Sequence, residues 1–177
     1  IKYDLEPDIY SFRILRAFTE TVALFNMKGK AHPIHVEFDT GMHRLGFTGS
    51  DIDDLVPFLR QNEKLIQVQS TFSHLACADD ASMDDFTQSQ INRFQKWSSA
   101  LKLGLGNEHI MCHILNSAGI IRFNQAQMDM VRLGIGLYFD YAYGCKNLKK
   151  DQMGLMFINR RRQPEGFRNP VKSQFGV

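Results

Sequence analysis

Helical stripes of apolar residues alternate along this chain with short strand-like runs, and the connections between them are brief. Ile9, Phe12, Leu15, Phe18, Val22 and Phe25 recur at spacings of three and four, with Asp8 placed to cap the helix and Gly29 to end it. A strand is predicted over 34–39, where Val36 and Phe38 alternate with Glu37 and Asp39. Ser50, with Asp53 three residues on, predicts a second capped helix whose stripe is Ile52, Leu55, Val56 and Leu59. A strand follows from Ile66 to Phe72. A long helix then runs from Asp84 to Leu103, burying Phe86, Phe94, Trp97 and Leu101, and Gly104 stops it. His109 to Leu115 reads as a further strand, and Asp129 to Tyr138 as a strand or a strand plus loop. This order predicts an α/β fold built of βα units around a parallel sheet.

A doubly wound sheet and a TIM barrel both satisfy that alternation. Polar residues separate them: Arg44, His74 and Asn116-Ser117 each fall just after a strand. In a barrel those strand ends converge on one mouth, where the active site lies. A complete barrel takes about 250 residues, so the expectation is a partial TIM barrel of about four βα units.

Composition narrows the function classes. With 177 residues, 44% hydrophobic and 23% charged, the chain suits a folded domain with a real core. No apolar run approaches the roughly 18 residues of a membrane span. The start, Ile1-Lys2-Tyr3-Asp4, has neither an initiator methionine nor a signal-peptide pattern, which predicts a piece of a longer chain. Three widely spaced cysteines, Cys77, Cys112 and Cys145, fit a reduced cytoplasmic compartment better than a disulfide framework. Of 21 basic and 19 acidic residues, eight basic and two acidic fall from Lys146 onward, leaving 13 and 17 for the remainder. The division is therefore a mildly acidic body, 1–138, and a basic tail, 139–177. The tail lacks aromatic interleaving and any motif, so nucleic-acid binding is not expected.

Four constellations carry chemistry. In Asp39-Thr40-Gly41-Met42-His43-Arg44-Leu45-Gly46-Phe47, two glycines bracket a loop that presents one arginine, the side chain best suited to grip a carboxylate with two parallel hydrogen bonds. Phe72-Ser73-His74-Leu75-Ala76-Cys77-Ala78-Asp79 puts a histidine after a strand, a place where structural histidines outnumber catalytic ones. Cys77 has no base beside it and reads as packing. In His113-Ile114-Leu115-Asn116-Ser117-Ala118-Gly119, Asn-Ser reads equally as a helix cap. His109 and His113 share a strand face, but no carboxylate or second cysteine completes a metal ligand set, so no metal is expected. In Arg132-Leu133-Gly134-Ile135-Gly136-Leu137-Tyr138, glycines free the backbone to approach an anion, and exposed N–H groups bind phosphate.

Together these stretches resemble the alanine racemases, which use pyridoxal 5'-phosphate (PLP). The first resembles their D-T-G-M-x-R-L-G-F signature, the second S/T-H-x-A-x-A-D, the third H-x-x-N-S-A-G, the fourth V-R-x-G-I-x-x-Y-G. The likeness covers about residues 1–138, the N-terminal barrel of that family, and ends at Phe139, where the family has glycine. It implies interconversion of L- and D-alanine for peptidoglycan precursors. By the resemblance, Arg44 contacts the substrate carboxylate and the cofactor's phenolic oxygen, and His74 packs and orients the ring. Asn116, Ser117, Gly134 and Ile135 belong to the phosphate site, and Arg132 faces the pyridine nitrogen. Many of these enzymes carry a carbamylated, negatively charged lysine where this chain has Glu37, so Glu37 is expected to orient Arg44 by charge pairing.

The A-V-x-K-A-x-A-Y-G stretch that bears the family's PLP lysine does not occur in these residues, nor does the β domain whose tyrosine acts across a homodimer interface. Racemisation needs a base on each face of Cα. The expectation is thus a fragment that binds but does not racemise alone. Two alternatives have signatures of their own. A non-enzymatic PLP-binding barrel of PLP homeostasis would show a phosphate stretch rich in S-M-G-M-S. A structural half-barrel would bind a partner chain without PLP. Fusion to a peptidoglycan-precursor ligase, known in some racemases, is undecided by these residues.

Overall fold

Four parallel strands lie side by side in chain order, β1-β2-β3-β4, in the computed structural model, which describes residues 5–25, 29–134 and 136. They are β1 (Asp8–Ile9), β2 (His32–Glu37), β3 (Ile66–Phe72) and β4 (Met111–His113), with α1 (Phe12–Phe25), α2 (Ile52–Gln61) and α3 (Asp84–Leu105) as crossovers and α4 (Ser117–Arg122) after β4. A doubly wound sheet reverses its strand order at a switch point. The consecutive order here is that of a barrel wall, so the partial-barrel expectation holds. Among the described residues no helix is long and apolar enough to cross a membrane.

Register explains which side chains face where. Asp8 pairs with His35 and Ile9 with Val36; His35 pairs with Ser70, Val36 with Thr71 and Glu37 with Phe72; Ser70 pairs with Met111, Thr71 with Cys112 and Phe72 with His113. One face therefore carries Ile9, Val36, Thr71 and Cys112. It is the helix side, because the Thr71 hydroxyl donates to Ser98 of α3 at 3.0 Å. The opposite, inner face carries Asp8, His35, Glu37, Ser70, Phe72, Met111 and His113.

That inner face depends on a bulge. Ile34 pairs with Val68 but His35 with Ser70, which leaves Gln69 as an extra residue on β3. A bulge reverses the alternation beyond it. Ile66 and Val68 are buried before it; after it, Ser70 and Phe72 take the inner face and Thr71 the helix side.

Several local expectations are corrected. Asp8 is not a helix cap; it lies in β1, and α1 starts at Phe12, just after Ser11, whose carbonyl accepts from the Leu15 amide at 2.9 Å. Ile9 accordingly leaves the helical stripe for the strand, and Phe25 is 62% exposed. The second helix is entered through Thr48, whose amide donates to the Asp51 carboxylate at 2.6 Å, rather than through Ser50 and Asp53. Gly104 does not end α3. It lets α2 approach, since a Cβ there would lie 2.7 Å from a Val56 methyl. Gly106, at φ +64°, ends the helix. Residues 129–134 form no strand. Instead of a ladder, two backbone bonds run alongside β4 and the residues after it, from the Asp129 amide to the Cys112 carbonyl (3.1 Å) and from the Arg132 amide to the Leu115 carbonyl (3.0 Å), and the Cys112 amide donates to the Asp129 carboxylate at 2.9 Å. The tail 139–177 and Tyr138 lie outside the described residues.

Candidate active site at the strand ends

The loop after β2 is closed by its own backbone. The Phe47 amide donates to the Glu37 carbonyl and the Asp39 amide to the Phe47 carbonyl, both at 2.8 Å. One Asp39 carboxylate oxygen accepts from the amides of Gly41 (3.0 Å) and His43 (2.9 Å). Gly46 sits at φ +122°, and a Cβ on it would lie 2.4 Å from the Asp39 nitrogen. Only glycine fits, so the chain turns back here and Arg44 is carried at the exposed tip.

Gln90 of α3 ties this loop to the next one. Fully buried, it donates to the Thr40 hydroxyl (3.3 Å) and the His74 carbonyl (3.1 Å), and accepts from the Ala76 amide (3.0 Å). The Thr40 and Ser73 hydroxyls bond at 2.7 Å, and Arg93 donates to the Thr40 carbonyl at 2.9 Å. The loops bearing Arg44 and His74 are thus one hydrogen-bonded unit. The signal for it was in the sequence: a glutamine standing in a stripe with Ile91 and Phe94.

After β4, Asn116 caps α4. Its side-chain oxygen accepts from the Gly119 amide at 2.9 Å, and its amide donates to the Leu75 carbonyl at 3.1 Å. Both ends of that side chain serve the protein's own backbone. Ser117, 4% exposed, accepts at its hydroxyl oxygen from the amides of Gly134 (3.1 Å) and Gly136 (3.0 Å). A Cβ on Gly136 would stand 3.1 Å from the Ser117 Cβ, so the backbone reaches this close only because it is glycine. A hydroxyl and two backbone N–H groups gathered at one point form a natural cradle for a phosphate. Ile135 lies outside the described residues.

Arg132 is anchored among carbonyls. One guanidinium nitrogen donates to the Ser73 carbonyl at 2.5 Å, the other to the His113 carbonyl at 3.1 Å and to His113 Nδ1 at 2.5 Å. It lies 5.1 Å over the Phe72 ring, which stacks on the His113 imidazole at 5.2 Å. Burial pulls its pKa down to about 10, against the opposing charges of Glu37 and Asp8, so it stays cationic at neutral pH.

Glu37 is 5% exposed. Burial raises its pKa, while Arg44, a hydrogen bond from Asp8, and Arg132 lower it. Asp8 is an exposed residue whose carboxyl reaches Glu37. Withdrawal from water, then the Glu37 charge and hydrogen bond, push it up to about 7, with Arg132 opposing. Burial, then Arg132 and Arg44, hold His74 below the usual histidine range and so neutral.

His74, Asn116, Ser117, Arg132 and Gly134 line one cleft of about 430 Å3 at the C-terminal ends of β3 and β4. Arg44 and Glu37 are not in its wall. They stand beside it, Glu37 within the field of Arg132 and Arg44 within that of His74. A second cleft, of about 420 Å3, opens at the opposite strand ends between Leu59, Ile66 and Ile110 and holds none of the candidate residues. His109 is exposed while His113 is buried, and both His113 ring nitrogens face protein partners, Ser70 and Arg132.

Residues 1–142 match the family "Alanine racemase, N-terminal domain". Alanine racemase 1 of Oceanobacillus iheyensis is 35% identical over 139 residues, which is 78% of this chain and 35% of that protein. The alanine racemase of Streptomyces coelicolor superposes with a TM-score of 0.69 at 26% identity, over 78% of this chain and 36% of that one. The alanine racemase of Bartonella henselae, solved with covalently bound pyridoxal phosphate, does so with a TM-score of 0.62 at 25% identity, over 77% and 35%. The chain thus spans about a third of the length of the relatives it matches. With its barrel wall of consecutive parallel strands and its polar strand ends, the chain belongs to the alanine racemase N-terminal domain family.

Proposed function

We propose that this chain is the cofactor- and substrate-holding part of an alanine racemase, a cytoplasmic and homodimeric enzyme that interconverts L- and D-alanine for cell-wall peptidoglycan precursors. The observation that carries the reading is the convergence of the Gly134 and Gly136 amides on the hydroxyl of Ser117, which lines the same cleft as Gly134 and Arg132. That donor set fits the phosphate of PLP. The cation beyond it fits a pyridine nitrogen.

When bound, PLP supplies an electron sink for the pair left on Cα after proton removal. The chain's own residues set how strong that sink is. Arg132 has no acceptor atom and keeps its protons, so it donates to the ring nitrogen without protonating it. By leaving that nitrogen unprotonated, Arg132 would keep the electron sink weak, which favours returning the proton over side reactions. Asn116 and Gly119 hold the start of α4, and with it Ser117, at the phosphate. Ile135 belongs to the same set by resemblance. Arg44 takes the alanine carboxylate and the phenolic oxygen, and Glu37 orients it. Neutral His74 packs beside the ring without adding a third positive charge.

These residues bind and orient; none of them is placed as the pair of opposed bases that racemisation requires. The expected behaviour of the 177-residue chain is PLP binding without turnover. Calorimetric titration with PLP and with pyridoxal, which lacks the phosphate, tests this. PLP should bind and pyridoxal should bind at least tenfold more weakly, and Ser117→Ala should erase the difference. Equal affinity for the two would remove the phosphate site and the reading with it.

A further inference from the structure

A row of hydrogen bonds crosses the inner face of the sheet, from the solvent edge of β1 to Arg132. His35 Nε2 lies 2.9 Å from a Glu6 carboxylate oxygen, and His35 Nδ1 lies 2.6 Å from the Ser70 hydroxyl. That hydroxyl lies 3.1 Å from His113 Nε2, and His113 Nδ1 lies 2.5 Å from Arg132. The residues come from the segment before β1, from β2, β3 and β4, and from the segment that follows α4. The bulge at Gln69 is what brings Ser70 into line, between the two imidazoles.

With both imidazoles neutral, the guanidinium at one end sets the donors and acceptors of this row. A guanidinium has only donors, so His113 Nδ1 must accept. The His113 ring therefore carries its proton on Nε2 and donates to Ser70. Ser70, accepting there, points its own proton at His35 Nδ1. The His35 proton then sits on Nε2 and points at Glu6, a carboxylate that only accepts. Burial, with Arg132 and His35 adding to it, depresses the His113 pKa to about 3, consistent with a neutral ring.

We propose that Glu6, His35 and Ser70 form a one-way hydrogen-bond chain that fixes the tautomer of His113 and so holds Arg132 at the cleft, making Ser70 a positioning residue for that guanidinium. The carboxylate at one end and the guanidinium at the other select one of the two possible directions. With the hydroxyl removed, His113 Nε2–H loses its acceptor in a buried position. The ring then gains by turning or by changing tautomer, and in the Nδ1–H form it presents a donor to another donor. The inference rests on the PLP reading only for what Arg132 faces.

The test uses the full 177-residue chain, labelled with nitrogen-15 and without cofactor. Long-range proton–nitrogen spectra should show His113 as the neutral Nε2–H tautomer. Ser70→Ala should abolish that single tautomer and speed exchange of the Arg132 side-chain protons about fivefold, as loss of one hydrogen bond implies. Ser70→Thr, which restores the hydroxyl, should restore both. A wild-type His113 protonated on Nδ1, or charged, overturns the proposal. So does a folded Ser70→Ala chain with the tautomer and exchange unchanged. If that variant does not fold, the wild-type tautomer and the Ser70→Thr spectrum decide. Failure of PLP to bind would count against the cofactor assignment and leave this result standing.

Discussion

Asp8 and Glu37 stand on the same inner face of the β1–β2 pair, Asp8 beside His35 and Glu37 two residues further on, where their carboxyls interact and Arg132 lies in the field of both. A hydrogen bond between two acids requires a proton on one of them. Each carboxyl is accordingly harder to ionise than a free one: Asp8 is pushed up to about 7, and Glu37 is raised by its burial.

This pair has a measurable consequence for stability. Asp8 titrates near 7 in the folded chain against 3.8 for an ordinary aspartate. Between those values the unfolded chain has lost the proton and the folded chain keeps it, so stability falls as pH rises and levels off above 7. Because Asp8 is exposed, water screening leaves only a fraction of the about 1.4 kcal/mol per pH unit that a shielded group would contribute. The difference in urea midpoint between wild type and Asp8→Asn should carry this slope between pH 4 and 8.

His113 pulls the other way. Its folded pKa is about 3 against 6.5 when free. Its contribution is complete above 6.5 and is lost as pH falls toward 3, where the unfolded chain gains a proton that the folded ring refuses. The limiting slope is about 1.4 kcal/mol per pH unit. From pH 4 to 6.5 the two groups oppose each other, and the wild-type profile should be shallow. Asp8→Asn should then steepen the fall in stability toward acid, and His113→Gln should flatten or reverse it. Two variants with the same profile would separate these groups from the pH dependence.

The proposed role of Glu37 toward substrate is testable. In a complete enzyme, Glu37→Gln keeps the shape and removes the charge proposed to orient Arg44. A rise in KM for alanine of about threefold to tenfold is expected, the range of a partly screened ion pair. Steady-state kinetics at saturating PLP checks it; an unchanged KM would mean that Arg44 is held by its loop alone.

The loop is the other half of that question. Gly46 stands at φ +122° with no room for a Cβ beside the Asp39 nitrogen. Gly46→Ala should destabilise by more than about 1 kcal/mol, since alanine meets both the strain and the backbone contact. For a chain of this size that lowers the melting temperature by at least about 2 °C. Gly106→Ala has the same sign of φ but open space, so it should be milder. Calorimetry on the two variants separates crowding from backbone strain.

Long elements were legible because repetition announces them. The stripe of α2 and the alternation of β2 each span several residues of one period. β1 has two residues, too few for any period, and Asp8 before a helical stripe reads as a cap by every local rule. The bulge at Gln69 was invisible for a different reason. It is defined by pairing with β2, and no feature of β3 alone marks which residue is extra. The cleft residues were found through their motifs. Two groups that hold them in place, Ser70 and His35, were not, because each is an ordinary polar residue until its partners are known.

The two arginines should respond differently to the same conservative change. Arg132 is anchored to three carbonyls and a ring nitrogen, and its residue is partly buried. Lysine puts one point charge where a planar fork was, and it cannot meet the Ser73 carbonyl and the His113 nitrogen together. Arg132→Lys should therefore leave a buried acceptor unpaired, at a cost of about 1–3 kcal/mol. Arg44 is exposed at a loop tip. Arg44→Lys should change stability by less than about 0.5 kcal/mol. If it acts on substrate, its effect belongs in KM alone. Denaturant unfolding of both variants, with kinetics on the complete enzyme, tells a guanidinium that holds the site together from one that meets the substrate. Equal loss of stability in the two would refute that division.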